Sequence, residues 1–371
     1  MEKKKLFFIS AASSIHTVKW VNSLSKNYEV HLIYCNNHQP KVDNINSNVI
    51  LHRLPFNAPI GYYLNAFKLK KLYKNISPDI VNVHYASGYG TLARISRLDN
   101  IILSVWGSDV YDFPNQSKTK KRILEKNVKY AKYIASTSNA MAEKLKKQIP
   151  NLNKKLFITP FGVDTNKFYN YNLSKNNEYI NIGTIKALEE KYGIKYAILA
   201  IKKIKEDLVK EGKKQIADSI KYYIYGEGSQ REKLLRLIES EKLKNDVFIM
   251  GKIPNNEVPK ILSKMDIFVA LSIANESFGV ALVEAMACEV PVVATDTDGF
   301  KEIVDDNITG FIVERKNIEK IAQKIKYLVE NKDLRVKMGE AGRQKVLKEY
   351  DWQENVKMME KIYLEIMNKK N

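Results

Sequence analysis

Short apolar runs and amphipathic stretches alternate from one end of this chain to the other. In the first half, LFFIS (6–10), YEVHLIY (28–34), VILHR (49–53), DIVNVHY (79–85), IILSVW (101–106), YIAST (133–137) and LFITP (156–160) predict strands. Helices are expected among them near 16–26 and 62–75, in a short stretch before 101, at 117–130 and on to about 148. The runs show little polar alternation, as strands buried on both faces of a parallel sheet do. Residues 161–177 are polar, irregular and rich in Asn and Tyr, and read as an interdomain linker. The alternation then restarts with YINIG (179–183), IKYYIYG (220–226), VFIMG (247–251), DIFVAL (266–271), PVVAT (291–295) and GFIV (310–313). Helical patterns follow each of these, the last three near 317–330, 333–348 and 352–368.

Two βα-repeating halves predict an α/β chain of two Rossmann-like, doubly wound domains facing each other across a cleft. The expected division is 1–165, 166–350, and a C-terminal helix at 351–371 packing back toward the first domain. Ligands of such folds sit where strand carboxyl ends and helix N-termini meet. The 371 residues suffice for two cores, and a hydrophobic fraction of 44% is that of a globular protein.

Charge changes the picture in one place. The net charge is +19, and residues 1–165 hold 25 Lys and Arg against 10 Asp and Glu. A dense run covers Lys118, Lys120, Lys121, Arg122, Lys126, Lys129 and Lys132. Such a face suits nucleic acid, an anionic membrane or an acidic substrate; the plainer alternative is a solvated lysine-rich surface. Interleaved surface aromatics and known nucleic-acid modules are missing from the sequence, which argues against nucleic acid. Cys35 and Cys288 both fall in apolar stretches, too few for a metal cluster and consistent with a reducing cytosol. The start, MEKKKLFFISAAS, reads as a first strand feeding a helix rather than a signal peptide. No apolar stretch approaches the ~20 residues of a membrane-spanning helix. A cytoplasmic protein, or one peripheral on the inner membrane face, is expected.

The stretch NESFGVALVEAMACEVPVVATDTDG (275–299) carries the chemistry. With a helix beginning near Phe278 or Gly279, Glu276 lies in the preceding loop and Glu284 about one and a half turns inside. The amides of Ser277, Phe278, Gly279 and Val280 would then be open to an anion or to sugar oxygens. A carboxylate suits a vicinal diol, so two of them suggest a ribose and a hexose. The simpler reading is an acidic first turn stabilising the helix dipole, which accounts for Glu276 but does not require SFG. This stretch resembles the donor-site signature of glycosyltransferase family 4, whose GT-B fold has two Rossmann-like domains. The resemblance implies that Glu276 contacts the transferred sugar, Glu284 holds the ribose hydroxyls and the intervening amides position sugar and phosphate.

Further patches resemble the family. NIGTIKALEEKYG (181–193) corresponds to the diphosphate grip, bringing in Gly183 and assigning Lys191 to the diphosphate. Thr184 stands where relatives usually have Arg, with Lys186 as its substitute. YGEGSQREKLL (225–235), with Glu227, resembles the Gly-x-Gly turn, and GKIPNNEVPKIL (251–262) places Lys252 and Ile253 beside the base. In the first half, SAASSIHTVKW (10–20) offers Ser13 and His16, the latter either pointing into the cleft or capping a helix at the surface. SVWGSDVYDF (104–113) offers Asp109, with Trp106 where many relatives carry a sugar-binding His, and VHYASGYG (83–90) adds His84 and Tyr85 at the cleft edge. Glu276, Asp109 and His16 are the catalytic candidates. Ser13, His84, Tyr85 and Trp106 form the acceptor side. Asp296-Thr297-Asp298 imitates a metal-binding Asp-x-Asp but reads as a turn, so no metal is expected. The resemblance implies a metal-independent, retaining hexosyltransferase using a UDP- or GDP-linked sugar, no further cofactor and a glycan or lipid-linked acceptor. The basic run would then face an anionic membrane. Two alternatives share the fold: a nucleotide-sugar 2-epimerase, and a non-catalytic donor-binding subunit suggested by Thr184 and Trp106.

Overall fold

The structure is a computed structural model, describing residues 2–40, 45–173 and 178–369. It resolves into two compact units: Met1–Pro160 with Gln353–Asn371, and Phe161–Trp352.

The first unit is built on seven parallel strands: β1 (Lys5–Ile9), β2 (Glu29–Cys35), β3 (Ile50–Leu54), β4 (Ile80–His84), β5 (Ile101–Val105), β6 (Tyr133–Ser136) and β7 (Lys155–Ile158). Their order is β3-β2-β1-β4-β5-β6-β7. Leu6, Phe7, Phe8 and Ile9 of β1, Val83 of β4 and Leu103 of β5 are fully buried, as is the one polar residue at the centre of β4, Asn82. That is why these runs lack period-two polarity: both faces are covered by helices. The order reverses between β1 and β4, the point where doubly wound sheets open to ligands.

The second unit repeats the device with six parallel strands: β8 (Ile180–Ile185), β9 (Ile220–Tyr225), β10 (Val247–Gly251), β11 (Ile267–Ala270), β12 (Val292–Thr295) and β13 (Gly310–Val313). The order is β10-β9-β8-β11-β12-β13, with the reversal between β8 and β11. Helix Ile194–Lys210 lays Ile194, Ile198, Ile201, Ile204 and Leu208 on this sheet at helical spacing, and Ile318–Glu330 packs beside it. Strands and long helices thus fall where the apolar pattern predicts them.

The expected linker is a correction. Its first part, from Phe161, is a packed strap of the second unit. Phe161, Val163 and Thr165 are buried. Val163 exchanges backbone hydrogen bonds with Tyr350 and Trp352 at 2.9 Å each, and the Arg343 guanidinium donates to the carbonyls of Thr165 and Phe168. The segment reads as a linker because its partners, Tyr350 and Trp352 for the Val163 backbone and Asp351 and Glu289 for the Thr165 and Asn170 side chains, lie more than a hundred residues away in sequence. Residues 174–177 lie outside the described residues. The C-terminal helix, Trp352–Asn368, contributes Tyr363 to the first unit, where Asn82 donates to its hydroxyl at 3.0 Å and the Tyr28 ring meets it edge-on.

Candidate active site

The second unit gathers its candidate residues at the carboxyl ends of β8 and β11. Helix Val280–Ala287 begins after Gly279, whose carbonyl takes the amides of Leu282 and Val283. The amides of Phe278, Gly279 and Val280 therefore precede the first intrahelical bond. Glu276 stands in the loop before this helix and Glu284 inside it, as the spacing predicts. The backbone of Glu276 is fixed by Gly299, whose amide donates to its carbonyl at 2.9 Å. A Cβ on Gly299 would lie 2.6 Å from that same oxygen, so the glycine serves a close approach of two main chains. Asp296 is held by Arg315, whose Nε donates to Oδ1 at 3.0 Å while its Nη1 reaches Asn275 Oδ1. Among the described residues no group of three His, Cys, Asp or Glu side chains is poised to hold a metal.

The Glu276 carboxylate has two partners on one oxygen. Ser272 Oγ donates to Oε1 at 2.8 Å, and Lys186 Nζ lies 3.2 Å from it. Ser272 is itself fixed, its carbonyl accepting from Thr295 Oγ1 at 2.7 Å. The ammonium of Lys186 rests over the Tyr192 ring at 4.3 Å, and Lys191 shares that ring at 5.1 Å. Lys186, Lys191, Tyr192 and Glu276 thus form one chain of contacts, and Lys186 and Tyr192 line one pocket wall together with Thr184, Ser272 and Gly279. The sequence reading missed Ser272, Tyr192 and Arg315. The spacing of Ser272, four residues ahead of Glu276 and directly after a strand, is the signal that could have found it.

Backbone contacts hold the loops of this wall together. Gly226 has φ +152°, and a Cβ there would come within 1.9 Å of the Lys186 carbonyl oxygen; one on Gly228 would reach the Leu188 carbonyl at 2.5 Å. Gly193, with φ +64°, abuts the Leu271 carbonyl in the same way, and the Lys191 carbonyl accepts from Ile273 at 2.8 Å. The YGEG turn is thus a docking surface for the β8 loop. Glu227 is exposed beside Gly251 and 3.9 Å from Arg231, and Ile253 is half-buried after β10.

One donor-side assignment is corrected. Gly183 is a mid-strand residue paired with Phe268, and its missing Cβ makes room for the Met265 thioether, so it is a packing glycine. The Phe278 side chain is buried edge-on against Phe161 and Tyr350, and its backbone is the part expected to meet a ligand. Gly279 likewise admits the Phe300 ring, 2.9 Å from where a Cβ would stand.

In the first unit the candidates also meet, at the carboxyl ends of β1, β4 and β5, but their roles change. Trp106 is buried, with its ring 4.3 Å from the His84 ring, 5.0 Å from Tyr85 and 5.7 Å from His16. His84, expected at an edge, is fully buried between Trp106 and Phe8, and its Nδ1 has no partner. Burial holds its pKa well below the usual value, and burial reinforced by Lys19 lowers that of His16 to about 4. Burial, then Asp109, raises Tyr85 to about 12. Asp109 is the sharpest correction: its buried carboxylate accepts from the amides of Ala86 (2.8 Å), Gly107 (2.9 Å) and Trp106 (3.1 Å). Burial raises its pKa while those amides oppose the rise. With both oxygens engaged by backbone, this catalytic candidate instead ties the loops after β4 and β5 together. Ser13 is half-buried, its amide on the His38 carbonyl.

Two family profiles match the chain. The one described as glycosyl transferases group 1 covers residues 167–345, and the one described as glycosyl transferase 4-like covers residues 5–138. The chain belongs to the family 4 glycosyltransferases. It is 28% identical to an uncharacterized glycosyltransferase of Methanocaldococcus jannaschii, over 95% of this chain and 94% of that protein. It is 26% identical to the capsular polysaccharide biosynthesis glycosyltransferase CapM of Staphylococcus aureus, over 98% of this chain and 97% of that protein. Anabaena HepE, solved in complex with UDP, matches the fold with a TM-score of 0.76 at 15% identity, over 97% of this chain and 99% of that one. The GT-B fold and a glycosyltransferase activity follow for this member of the family.

Proposed function

We propose that this glycosyltransferase moves a hexose from a UDP- or GDP-sugar to a glycan or lipid-linked acceptor in the assembly of a cell-surface polysaccharide or glycolipid. The observation that carries the reading is the wall of the second unit where Lys186 Nζ sits on Glu276 Oε1 ahead of the Val280–Ala287 helix. The names of the relatives are in keeping with it: CapM is a capsular polysaccharide enzyme, and HepE has been solved with UDP.

Transfer breaks the bond between the anomeric carbon and the β-phosphate, and negative charge develops on the departing diphosphate. Lys186, Lys191 and the amides of Phe278 to Val280 supply positive charge and donors there, so the step needs no metal in this reading. Glu276, released from Lys186 by the incoming phosphate, accepts from the hexose hydroxyls, and Glu284 accepts from the ribose. The acceptor hydroxyl attacks the face from which the diphosphate leaves, its proton passing to the diphosphate, and the anomeric configuration is retained. No enzymic nucleophile takes part.

The test is thermal stabilisation and turnover of the purified protein with UDP-, GDP-, ADP- and CMP-sugars without added metal, alongside Glu284→Ala. One nucleotide should stabilise the protein and be slowly released from its sugar, and Glu284→Ala should weaken that stabilisation by tenfold or more in ligand concentration, about 1.4 kcal/mol. Failure of every nucleotide to stabilise the protein would favour a subunit without donor chemistry.

A further inference from the structure

The segment after β3 reverses the usual arrangement of polar and apolar side chains. Helices Gly61–Leu64 and Ala66–Ile76 run on through Asn65, itself in α-helical conformation. On this continuous turn Ile60, Tyr63, Leu64 and Phe67 stand at helical spacing and point to solvent, 66%, 51%, 54% and 82% exposed, while Asn65 is completely buried. Phe56, 47% exposed, extends the strip.

Nor is this a frayed loop. Asn65 Nδ2 donates to the Phe56 carbonyl and its Oδ1 accepts from the Phe56 amide, at 3.0 and 3.1 Å. Asn37 grips Ala58 in the same two-way fashion, and Asn36 Nδ2 donates to Asn57 Oδ1 at 2.7 Å. Gly61 packs so closely that a Cβ would meet the Phe56 carbonyl at 2.4 Å. One polar side chain, Asn65, is spent inside while the apolar ones stand outside, and surface asparagines pin the loop that precedes them. Single exposed apolar residues are ordinary; a pinned strip of them marks a contact surface.

Charge says what the surface meets. Lys68, Lys71 and Lys74 are exposed on the same helix, Lys70 is half-buried there, and the sequence has no Asp or Glu between Asp43 and Asp79. Helix Gly88–Ile95 packs on one side against this segment and on the other against helix Lys118–Tyr130, with its exposed Lys118, Lys121, Arg122, Lys126 and Lys129. An apolar strip beside cations is the profile of an element lying in a bilayer interface, its apolar side chains among acyl chains and its lysines at anionic headgroups.

We propose that Ile60, Tyr63, Leu64 and Phe67, flanked by Lys68, Lys71 and Lys74, form the surface by which the first unit docks on an anionic phospholipid bilayer. The inference rests on the lipid-linked-acceptor reading for its purpose, since docking would bring the enzyme to an acceptor that cannot leave the membrane. It differs from the expected basic run in placing the apolar anchor on 60–67, with the 118–132 lysines as electrostatic support.

The experiment is vesicle co-flotation of the full chain with phosphatidylcholine alone and with phosphatidylcholine containing one third phosphatidylglycerol, next to Leu64→Ser/Phe67→Ser and Lys68→Glu/Lys71→Glu. The parent should float with anionic vesicles only, and each double variant should partition at least tenfold less. Each variant should keep the parent's thermal transition and nucleotide-induced stabilisation. Variants that float like the parent, or a parent that does not float, overturn the docking surface. So does a parent that self-associates, stays off vesicles and becomes monomeric on Leu64→Ser/Phe67→Ser, which would assign the strip to a second copy. Nucleotide stabilisation without flotation removes this surface alone; flotation without any nucleotide response removes the donor reading and leaves the surface.

Discussion

The two units solve one problem by different means. Each must hold together the loops that leave the carboxyl ends of neighbouring strands. The first does it with buried polar side chains: Asp109 collects three amides across two loops, and Asn127 donates to the carbonyls of Ala86 and Ser87 and to Thr91. The second does it with glycines that let one main chain lie on another, at Gly226, Gly228 and Gly193. Among the described residues every buried carboxylate, carboxamide and imidazole belongs to the first unit, while the buried polar side chains of the second are all hydroxyls. A unit that fixes its loops through backbone contact keeps its charged side chains for a ligand; one that fixes them through carboxylates and amides has used those groups up.

The largest expected effect breaks this contrast directly. Asp109→Ala would leave three buried amides without an acceptor, each costing roughly 1–3 kcal/mol, so the first unit should lose on the order of 3 kcal/mol or more. Gly226→Ala would strain a positive φ and press a methyl group into the Lys186 carbonyl, a comparable loss confined to the second unit. Hydrogen exchange read by mass spectrometry separates the two: protection should fall around 80–110 in one variant and around 180–230 in the other. Loss of turnover in Asp109→Ala with first-unit protection unchanged would return Asp109 to the substrate.

A smaller effect comes from acid. All five histidines lie in the first unit. Burial lowers the pKa of His16, His38, His52 and His84 below the ordinary 6.5, with Lys19 adding to the effect at His16 and His31 at His52. Below 6.5 the unfolded state therefore binds protons that the folded state refuses. Stability is whole above pH 6.5 and declines as pH falls from there toward about 4, the value for His16. A fully shielded imidazole such as His84 contributes up to about 1.4 kcal/mol per pH unit. Asp109, whose pKa is raised, works in the opposite sense. Denaturation midpoints at pH 7.5 and 5.0 should drop for the first unit and hold for the second, and His84→Asn should flatten the difference. A second unit as acid-sensitive as the first would mean the imidazoles are not the cause.

The same contrast explains what the sequence discloses. Among the described residues the apolar runs located the strands. Those at the centre of each sheet are buried on both faces and leave no other pattern, while the edge strands β3 and β7, largely exposed or half-buried, are apolar enough to show. The glutamates of the 275–299 stretch were legible because their loop and helix are local. Asp109 was read as chemistry because its three partners come from two loops, and no spacing in the chain shows that both its oxygens are taken. Phe161 to Val163 looked like linker because bonding to residues 350–352 is invisible at that separation. The exposed strip at 60–67 has the periodicity of a buried helix face, and only burial of Asn65 reveals which side is in.

The smallest effect concerns the pair on which the donor reading rests. Lys186 and Glu276 are partly exposed, so Lys186→Met should cost the second unit no more than about 0.5 kcal/mol. Its consequence belongs to binding. If the ammonium passes from Glu276 to the donor diphosphate, Lys186→Met weakens the nucleoside diphosphate about tenfold, roughly 1.4 kcal/mol, and leaves the nucleoside untouched. Lys191→Met, made beside it, decides between the two lysines over Tyr192. Loss in Lys191→Met alone would make Lys191 the phosphate ligand and reduce Lys186 to a counter-ion that keeps Glu276 in place. Equal losses in both would mean that the diphosphate is held by a pair, with Lys186 doing what an arginine at Thr184 does in relatives.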